Sequence, residues 1–333
     1  MTGRPAFPTG AAIVGVGMAV PERMVSNAEL AEQLGIEEEW IVKRTGTNVR
    51  PWALPGQRLS DFAARAGQNA LNRAGLSASE VDLLIVATST ADEITPNAAP
   101  VVAGILGARA AGCLDVGAAC TGWLAALAMA TGQIEAGRVR HALVIGADFL
   151  SQFLDMSDPR TAVLFADGAG AAVLSAVADP SRSGVGPIIL RADPAGAELL
   201  RLEHGGPIRM QGHETFRAAV EALSHVTVEA LEAAGLAQDQ IDLFVYHQAN
   251  SRILRAVGER LSLPPDRVVD YVARYANSST ATLPIALTVA EAEGRLKDGD
   301  RVLLAAFGGG FTWGATVVRW SGGPAAEPDS LGS

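Results

Sequence analysis

Cys120, His247 and Asn277 each sit where an apolar run gives way to a loop or a helix. Cys120 lies in Asp115-Val116-Gly117-Ala118-Ala119-Cys120-Thr121-Gly122-Trp123, just ahead of a run with helical spacing. Small neighbours let backbone and substrate approach closely, and a helix start favours the thiolate, the nucleophilic form of a thiol. A free cysteine is also a common small core residue, so both readings stand at this point, while Cys113 reads simply as core. His247 directly follows Leu243-Phe244-Val245-Tyr246 and opens His247-Gln248-Ala249-Asn250. α/β proteins place binding and catalytic groups at such strand ends, although a satisfied histidine at a sheet edge fits too. Asn277, in Tyr275-Ala276-Asn277-Ser278-Ser279-Thr280, taken alone reads as an N-cap. In Phe307-Gly308-Gly309-Gly310-Phe311 the glycines permit either a plain turn or backbone amides offered to an oxyanion. His141, His204, His213 and His225 have weaker settings and read as structural or solvent-facing. Gly15-Val16-Gly17 lacks a third glycine at the dinucleotide spacing, which rejects a nicotinamide site.

The elements that must position these residues occur twice. Shifting the chain by 160 lays Ala70-Leu71-Asn72-Arg73-Ala74-Gly75-Leu76 on Ala230-Leu231-Glu232-Ala233-Ala234-Gly235-Leu236. The same shift lays Asp82-Leu83 on Asp242-Leu243, 142–145 on 302–305, and Cys120 on Thr280. A slightly different offset pairs 170–174 with 314–318. Helical spacing predicts helices over 60–75, 120–136, 213–234, 251–262 and 279–295. Apolar runs predict strands over 11–17, 81–88, 142–147, 170–177, 241–246, 301–307 and 314–320. Alternation of the two makes the class α/β, with sheets covered on both faces. We place one half at 1–178, carrying the nucleophile candidate, and the second at 179–320, carrying the histidine and asparagine. A junction over 178–212 and a loose tail over 321–333 complete the division.

With 333 residues the chain exceeds what one core usually serves, in keeping with two halves. At 49% hydrophobic residues it can build a large core, and its formal charge of −10 argues against bulk binding to nucleic acid or anionic membrane. Two cysteines make neither a disulfide framework nor a metal-site spacing, which fits a reducing, cytoplasmic setting. The first apolar run, 11–20, is too short to span a membrane.

Together these segments resemble the β-ketoacyl-acyl-carrier-protein synthase III family, the initiating condensing enzymes of fatty acid synthesis in the thiolase superfamily. The resemblance covers about 11–320 and is strongest at Trp40-Ile41-Val42-Lys43-Arg44-Thr45-Gly46, around Cys120, at Phe165-Ala166-Asp167-Gly168-Ala169-Gly170, at His247-Gln248-Ala249-Asn250, and from Phe307 to Gly314. It implies a thiolase-like fold, two α/β halves in a five-layered αβαβα arrangement, and a homodimer. It implies that Cys120, His247 and Asn277 form the family's catalytic triad. Cys120 would take an acyl group from acyl-CoA, with the Cys120 and Gly309 amides holding the oxyanion. A malonyl thioester on acyl carrier protein would then lose carbon dioxide, with His247 and Asn277 as donors to the enolate, and carbon–carbon bond formation would release a 3-oxoacyl product. The resemblance implies no metal or organic cofactor, CoA being the handle of the substrate. It assigns CoA binding to Trp40, Arg44, Asn250, Arg252 and Phe216, and carrier-protein docking to a basic rim at Arg217, Arg252 and Arg260.

Some residues depart from the family pattern. Ala276 stands where glycine usually precedes the triad asparagine, His213 replaces an asparagine, and an arginine of the nucleotide site is displaced to Arg160. Thr95 occupies the place of an aromatic gate, which predicts room for acyl chains longer than acetyl. Two rival functions are a synthase III-like acyltransferase or condensing enzyme of secondary metabolism, of polyketide or quinolone type, and a non-catalytic partner of acyl carrier protein. Binding alone does not call for the triad, which disfavours the latter.

Overall fold

A computed structural model describes residues 10–178 and 184–321. The expected boundary at 178/179 and the tail after Ser321 therefore fall at or beyond the edges of the described residues. The first part runs β1 (Gly10–Ala19), β2 (Met24–Ser26), α1 (Asn27–Leu34), α2 (Glu38–Thr45), β3 (Val49–Pro51), α3 (Leu59–Ala74) and β4 (Leu83–Ala87). It continues with α4 (Ala98–Leu106), β5 (Gly112–Val116), α5 (Gly122–Glu135), β6 (His141–Phe149), α6 (Pro159–Ala162) and β7 (Asp167–Val177). The second part contains β8 (Gly184–Val185), β9 (Ile189–Ala192), β10 (Leu200–Leu202), β11 (Ile208–Met210), α7 (Gly212–Ala234) and β12 (Leu243–Tyr246). After these come α8 (Ser251–Leu261), α9 (Val272–Tyr275), α10 (Thr282–Ala292), β13 (Arg301–Gly308) and β14 (Thr312–Arg319).

One sheet has the order β1-β7-β6-β4-β5 and the other β12-β13-β14, with β8 and β9 both pairing to β14. The repeat is visible in the register itself. Leu83 pairs with Ala142 across parallel β4 and β6, and Leu243 pairs with Val302 across parallel β12 and β13. Antiparallel partners obey the second offset, with His141 opposite Ser175 and Arg301 opposite Arg319. Among the described residues strand β5 has no full counterpart, because only an isolated bridge between Phe244 and Val268 lies beside β12. Gly75 and Gly235 end α3 and α7 in matching left-handed conformations, φ 68° and 65°, which glycine adopts without a Cβ penalty.

Burial sorts these elements into five layers. Helices α5 and α10 lie between the sheets in one apolar core, which includes Trp123, Leu127, Leu283 and Leu287. Helices α3 and α4 cover the outer face of the first sheet through Phe62, Leu71 and Val102, and α7 and α8 cover the second through Leu223, Val226 and Val257. The strands between are buried along almost their whole length, which is why they read as unbroken apolar runs. Helix α4 and the α1–α2 cap escaped the sequence reading. In α4, Pro100 and Gly104 interrupt an otherwise apolar stretch, and α1 and α2 have only eight residues each.

Candidate active site

Cys120 occupies the 3-10 turn Ala119–Thr121 that opens α5, and Ala119 takes a left-handed φ of 44° to place it there. The end of β13 closes against the same turn. A Cβ on Gly308 would lie 2.8 Å from the Cys120 amide nitrogen, so no side chain fits. Thr312 ties the two segments, its Oγ1 reaching Ala118 O and Gly309 O at 3.3 Å each and touching Thr121 Oγ1. Thus the Cys120 amide and the glycine run are fixed side by side, as an oxyanion site needs.

His247 leaves β12 with its amide donating to Ala305 O at 2.8 Å, which continues the parallel ladder for one residue. Its Nδ1 lies 2.6 Å from Thr282 Oγ1, which orients the ring. Gln248 braces the turn, donating to Tyr246 O and Val269 O and accepting from the Tyr271 amide. Asn277 is anchored to the first half, its amide donating to Leu164 O and its carbonyl accepting from Ala166 N. Its Oδ1 accepts the Ser279 amide at 2.9 Å, so the N-cap-like bond is real, and the side-chain NH2 remains as a donor. Cys120, His247, Asn277 and Gly308 all line one cavity of about 560 Å³.

Burial sets the protonation of the pair. His247 is 3% exposed, and its imidazolium is pushed down to about 3, so the ring is neutral near pH 7. Cys120 is half-buried as a residue, its open side facing the cavity, yet the surroundings of its sulfur push the thiol up to about 11. Burial is the main cause and Asp148 adds to it, while a hydrogen bond with Ser279 opposes both. Burial therefore works against the thiolate that a helix start favours at Cys120.

The same cavity is also lined by Trp40, Arg44, Arg160, His213, Phe216 and Arg252. The Arg44 guanidinium stacks 5.7 Å from the Trp40 ring, and Arg252 lies 5.2 Å from the Phe216 ring. Arg160 reaches the cavity as the displaced arginine, but it is paired with Asp158 at 2.8 Å. Asn250 also lines the wall, with its amide group committed. Its Oδ1 caps α8 at the Arg252 amide and its Nδ2 donates to Arg44 O. Arg217 and Arg260 are exposed outside the cavity lining.

Thr95, expected at the acyl-pocket gate, is not among the residues lining the cavity of its own chain. Asp92 accepts the Leu59 and Ser60 amides and Glu93 pairs with Arg58, so the loop is pinned over the start of α3 with Thr95 exposed. Residues the sequence reading passed over are Asp148, Ser279, Thr282 and Thr312. Asp148 had one available signal, a carboxylate at the end of an apolar strand, at the place where the other half has Gly308. Among the described residues no group of three or more His, Cys, Asp or Glu could hold a metal ion. No helix there is long and apolar enough to cross a membrane.

Two family models match the chain, 3-oxoacyl-[acyl-carrier-protein] synthase III over residues 114–203 and its C-terminal counterpart over 231–320. A β-ketoacyl-[acyl-carrier-protein] synthase III of Sphingopyxis alaskensis is 45% identical over 316 residues, covering 93% of this chain and 98% of that protein. The crystal structure of 3-oxoacyl-[acyl-carrier-protein] synthase III from Aquifex aeolicus superposes with a TM-score of 0.91 at 38% identity, covering 93% of this chain and all of that one. The priming β-ketosynthase of the R1128 polyketide pathway superposes with a TM-score of 0.92 at 32% identity, covering 97% and 100%.

Proposed function

The chain belongs to the 3-oxoacyl-[acyl-carrier-protein] synthase III family, and from that premise we propose that it condenses an acyl-CoA with malonyl-acyl-carrier-protein, initiating fatty acid synthesis. The observation that carries this reading is the convergence of Cys120, His247 and Asn277 beside the glycine run in one cavity. In the first half-reaction the Cys120 sulfur attacks the thioester carbon, its proton leaves with the CoA thiolate as CoA, and an acyl-cysteine remains. The Cys120 and Gly309 amides support the oxyanion during attack. In the second, the malonyl group loses carbon dioxide, and Asn277 and His247 stabilise the enolate oxygen as donors. The Asn277 NH2 is supported in that role because its carbonyl oxygen is already occupied. The enolate carbon then bonds to the acyl carbon and frees the sulfur as the 3-oxoacyl product leaves. A neutral His247 suits a donor that must not form an ion pair with the malonyl carboxylate.

Trp40, Arg44, Phe216 and Arg252 are proposed to hold the CoA end of the substrate, and Arg217, Arg252 and Arg260 to meet the acidic carrier protein. Raising salt should raise KM for the carrier-bound malonyl group more than for acyl-CoA, and equal effects would remove the docking role. We propose a cytoplasmic homodimer, because among the described residues β5 presents a free sheet edge and Ile94 stands 88% exposed just before α4. A monomer by sedimentation would refute it. Thr95 lies on that same loop, so any influence on acyl length is exerted on a second copy.

The test is intact-mass measurement after mixing with acetyl-, butyryl- and octanoyl-CoA, followed by product assay with malonyl-acyl-carrier-protein. An acyl adduct on Cys120 and a 3-oxoacyl product are expected, with turnover extending beyond acetyl. No adduct from any thioester would overturn the enzyme reading. Adduct without condensation would favour the second reading, an acyl-transferring enzyme of secondary metabolism, which the likeness to the polyketide priming synthase and the departures at Ala276 and His213 support.

A further inference from the structure

The internal repeat builds a second, altered copy of the site. Shifted by 160, Cys120 falls on Thr280, while Asn277, His247 and Gly308 fall on Gly117, Ala87 and Asp148. Thr280 sits in the 3-10 turn Ser279–Ala281 at the head of α10, as Cys120 does at the head of α5, and Ser279 repeats the left-handed φ of Ala119 at 50°. Where Gly308 backs onto the Cys120 amide, Asp148 fills the equivalent space with a carboxylate. Its Oδ2 accepts the Thr280 amide at 3.1 Å and the Thr280 hydroxyl at 2.8 Å. Its Oδ1 accepts the Ser89 amide at 2.8 Å and the hydroxyls of Thr90 and Thr88 at 3.1 and 3.3 Å. The Thr280 hydroxyl also lies 3.0 Å from Ala87 O. Asp148 is fully buried and stands outside the lining of the cavity that holds Cys120.

A buried carboxylate is costly unless its lone pairs are all met, and here donors surround it. Three of those donors come from the 88–90 loop of the first half, and two from one residue of the second, 132 positions away. That residue is the middle of the segment 277–282, whose two ends serve the reaction. Asn277 opens it, the Ser279 amide holds Asn277 Oδ1, and Thr282 closes it on His247 Nδ1. We propose that Asp148 is a positioning residue, a clamp derived from the second copy of the site that holds Thr280 and so sets Asn277 and His247 in register against Cys120. The inference rests on the condensing-enzyme reading for its kinetic consequence and on the geometry alone for its effect on the segment.

Asp148→Asn keeps the shape but sets an NH2 among donors, and Thr280→Val keeps the amide donor while removing the hydroxyl. Both variants should acylate Cys120 within about threefold of the parent rate, and condensation per acylated site should fall roughly ten- to a hundredfold, the scale of a small misplacement. Thr280→Ser should restore it. Hydrogen exchange should rise in peptides spanning 276–282 and stay unchanged over β4 and β12. Condensation per acylated site at the parent level in both variants, or unchanged exchange over 276–282, overturns the clamp. Loss of acylation and condensation in parallel, with exchange rising throughout, makes Asp148 a general structural residue and overturns it as well. Where Asp148→Asn does not fold, Thr280→Val decides alone. A parent protein that neither acylates nor condenses refutes the enzyme reading, and the exchange of 276–282 then judges the clamp by itself.

Discussion

In the first half the turn Ala119–Thr121 leads into α5 with a cavity before it; in the second, Ser279–Ala281 leads into α10 with a buried carboxylate before it. The two turns share a left-handed residue in the same place and the same helix start. Backbone shape and helix dipole therefore do not distinguish them. The difference lies in what neighbouring strands deliver: Gly308 and His247 to one turn, Asp148 and Ala87 to the other. A small residue at the strand end leaves the amide free for a passing oxyanion, and an acid there occupies it permanently.

The strongest test of this contrast moves the proposed nucleophile. Cys120→Ala should lose turnover by roughly three orders of magnitude or more and give no acyl adduct by intact mass. Cys120→Ala combined with Thr280→Cys should recover neither, and an acyl adduct on the thiol introduced by the second substitution would break the comparison. Next in size, His247→Ala and Asn277→Ala should each lower malonyl decarboxylation by roughly a hundredfold or more, with the acyl adduct still forming. Normal condensation by either variant would remove its donor role.

The third test is thermodynamic. His247 is held neutral, with its pKa lowered from an ordinary 6.5 to about 3. The unfolded chain alone takes up this proton as pH drops below 6.5, so the contribution is complete above that value and is lost as pH falls toward 3. Urea unfolding of the parent should lose about 3 kcal/mol more between pH 7 and pH 4 than His247→Asn does. Equal losses would mean that the imidazole is not desolvated. The smallest effect concerns Ala276, which holds φ 49° and ψ −147° ahead of Asn277, a conformation suited to glycine. Ala276→Gly should relieve strain of about 1–3 kcal/mol, less about 1 for the freer unfolded chain, for a net gain of about 1 kcal/mol. A drop in Tm would show that Ala276 is not strained.

Much of the fold was legible because its signals are local. Unbroken apolar runs marked strands buried on both faces, the glycines after α3 and α7 marked helix ends, and a constant spacing carried the repeat into the register of both sheets. Helix α4 was hidden because its proline and glycine mask periodicity, and β5 because five residues of a partly exposed edge carry little pattern.

By itself the sequence determined the α/β class, the duplication and the residue types able to attack, donate and hold an oxyanion, since these depend on composition, period and spacing. Tertiary structure alone decided that burial pushes the Cys120 thiol up and keeps His247 neutral, that Thr95 is exposed and lies outside the lining of its own cavity, and that Asp148 reaches across the halves to Thr280. Those outcomes depend on desolvation and on contacts between residues far apart in the chain, and both exist only once the layers have packed.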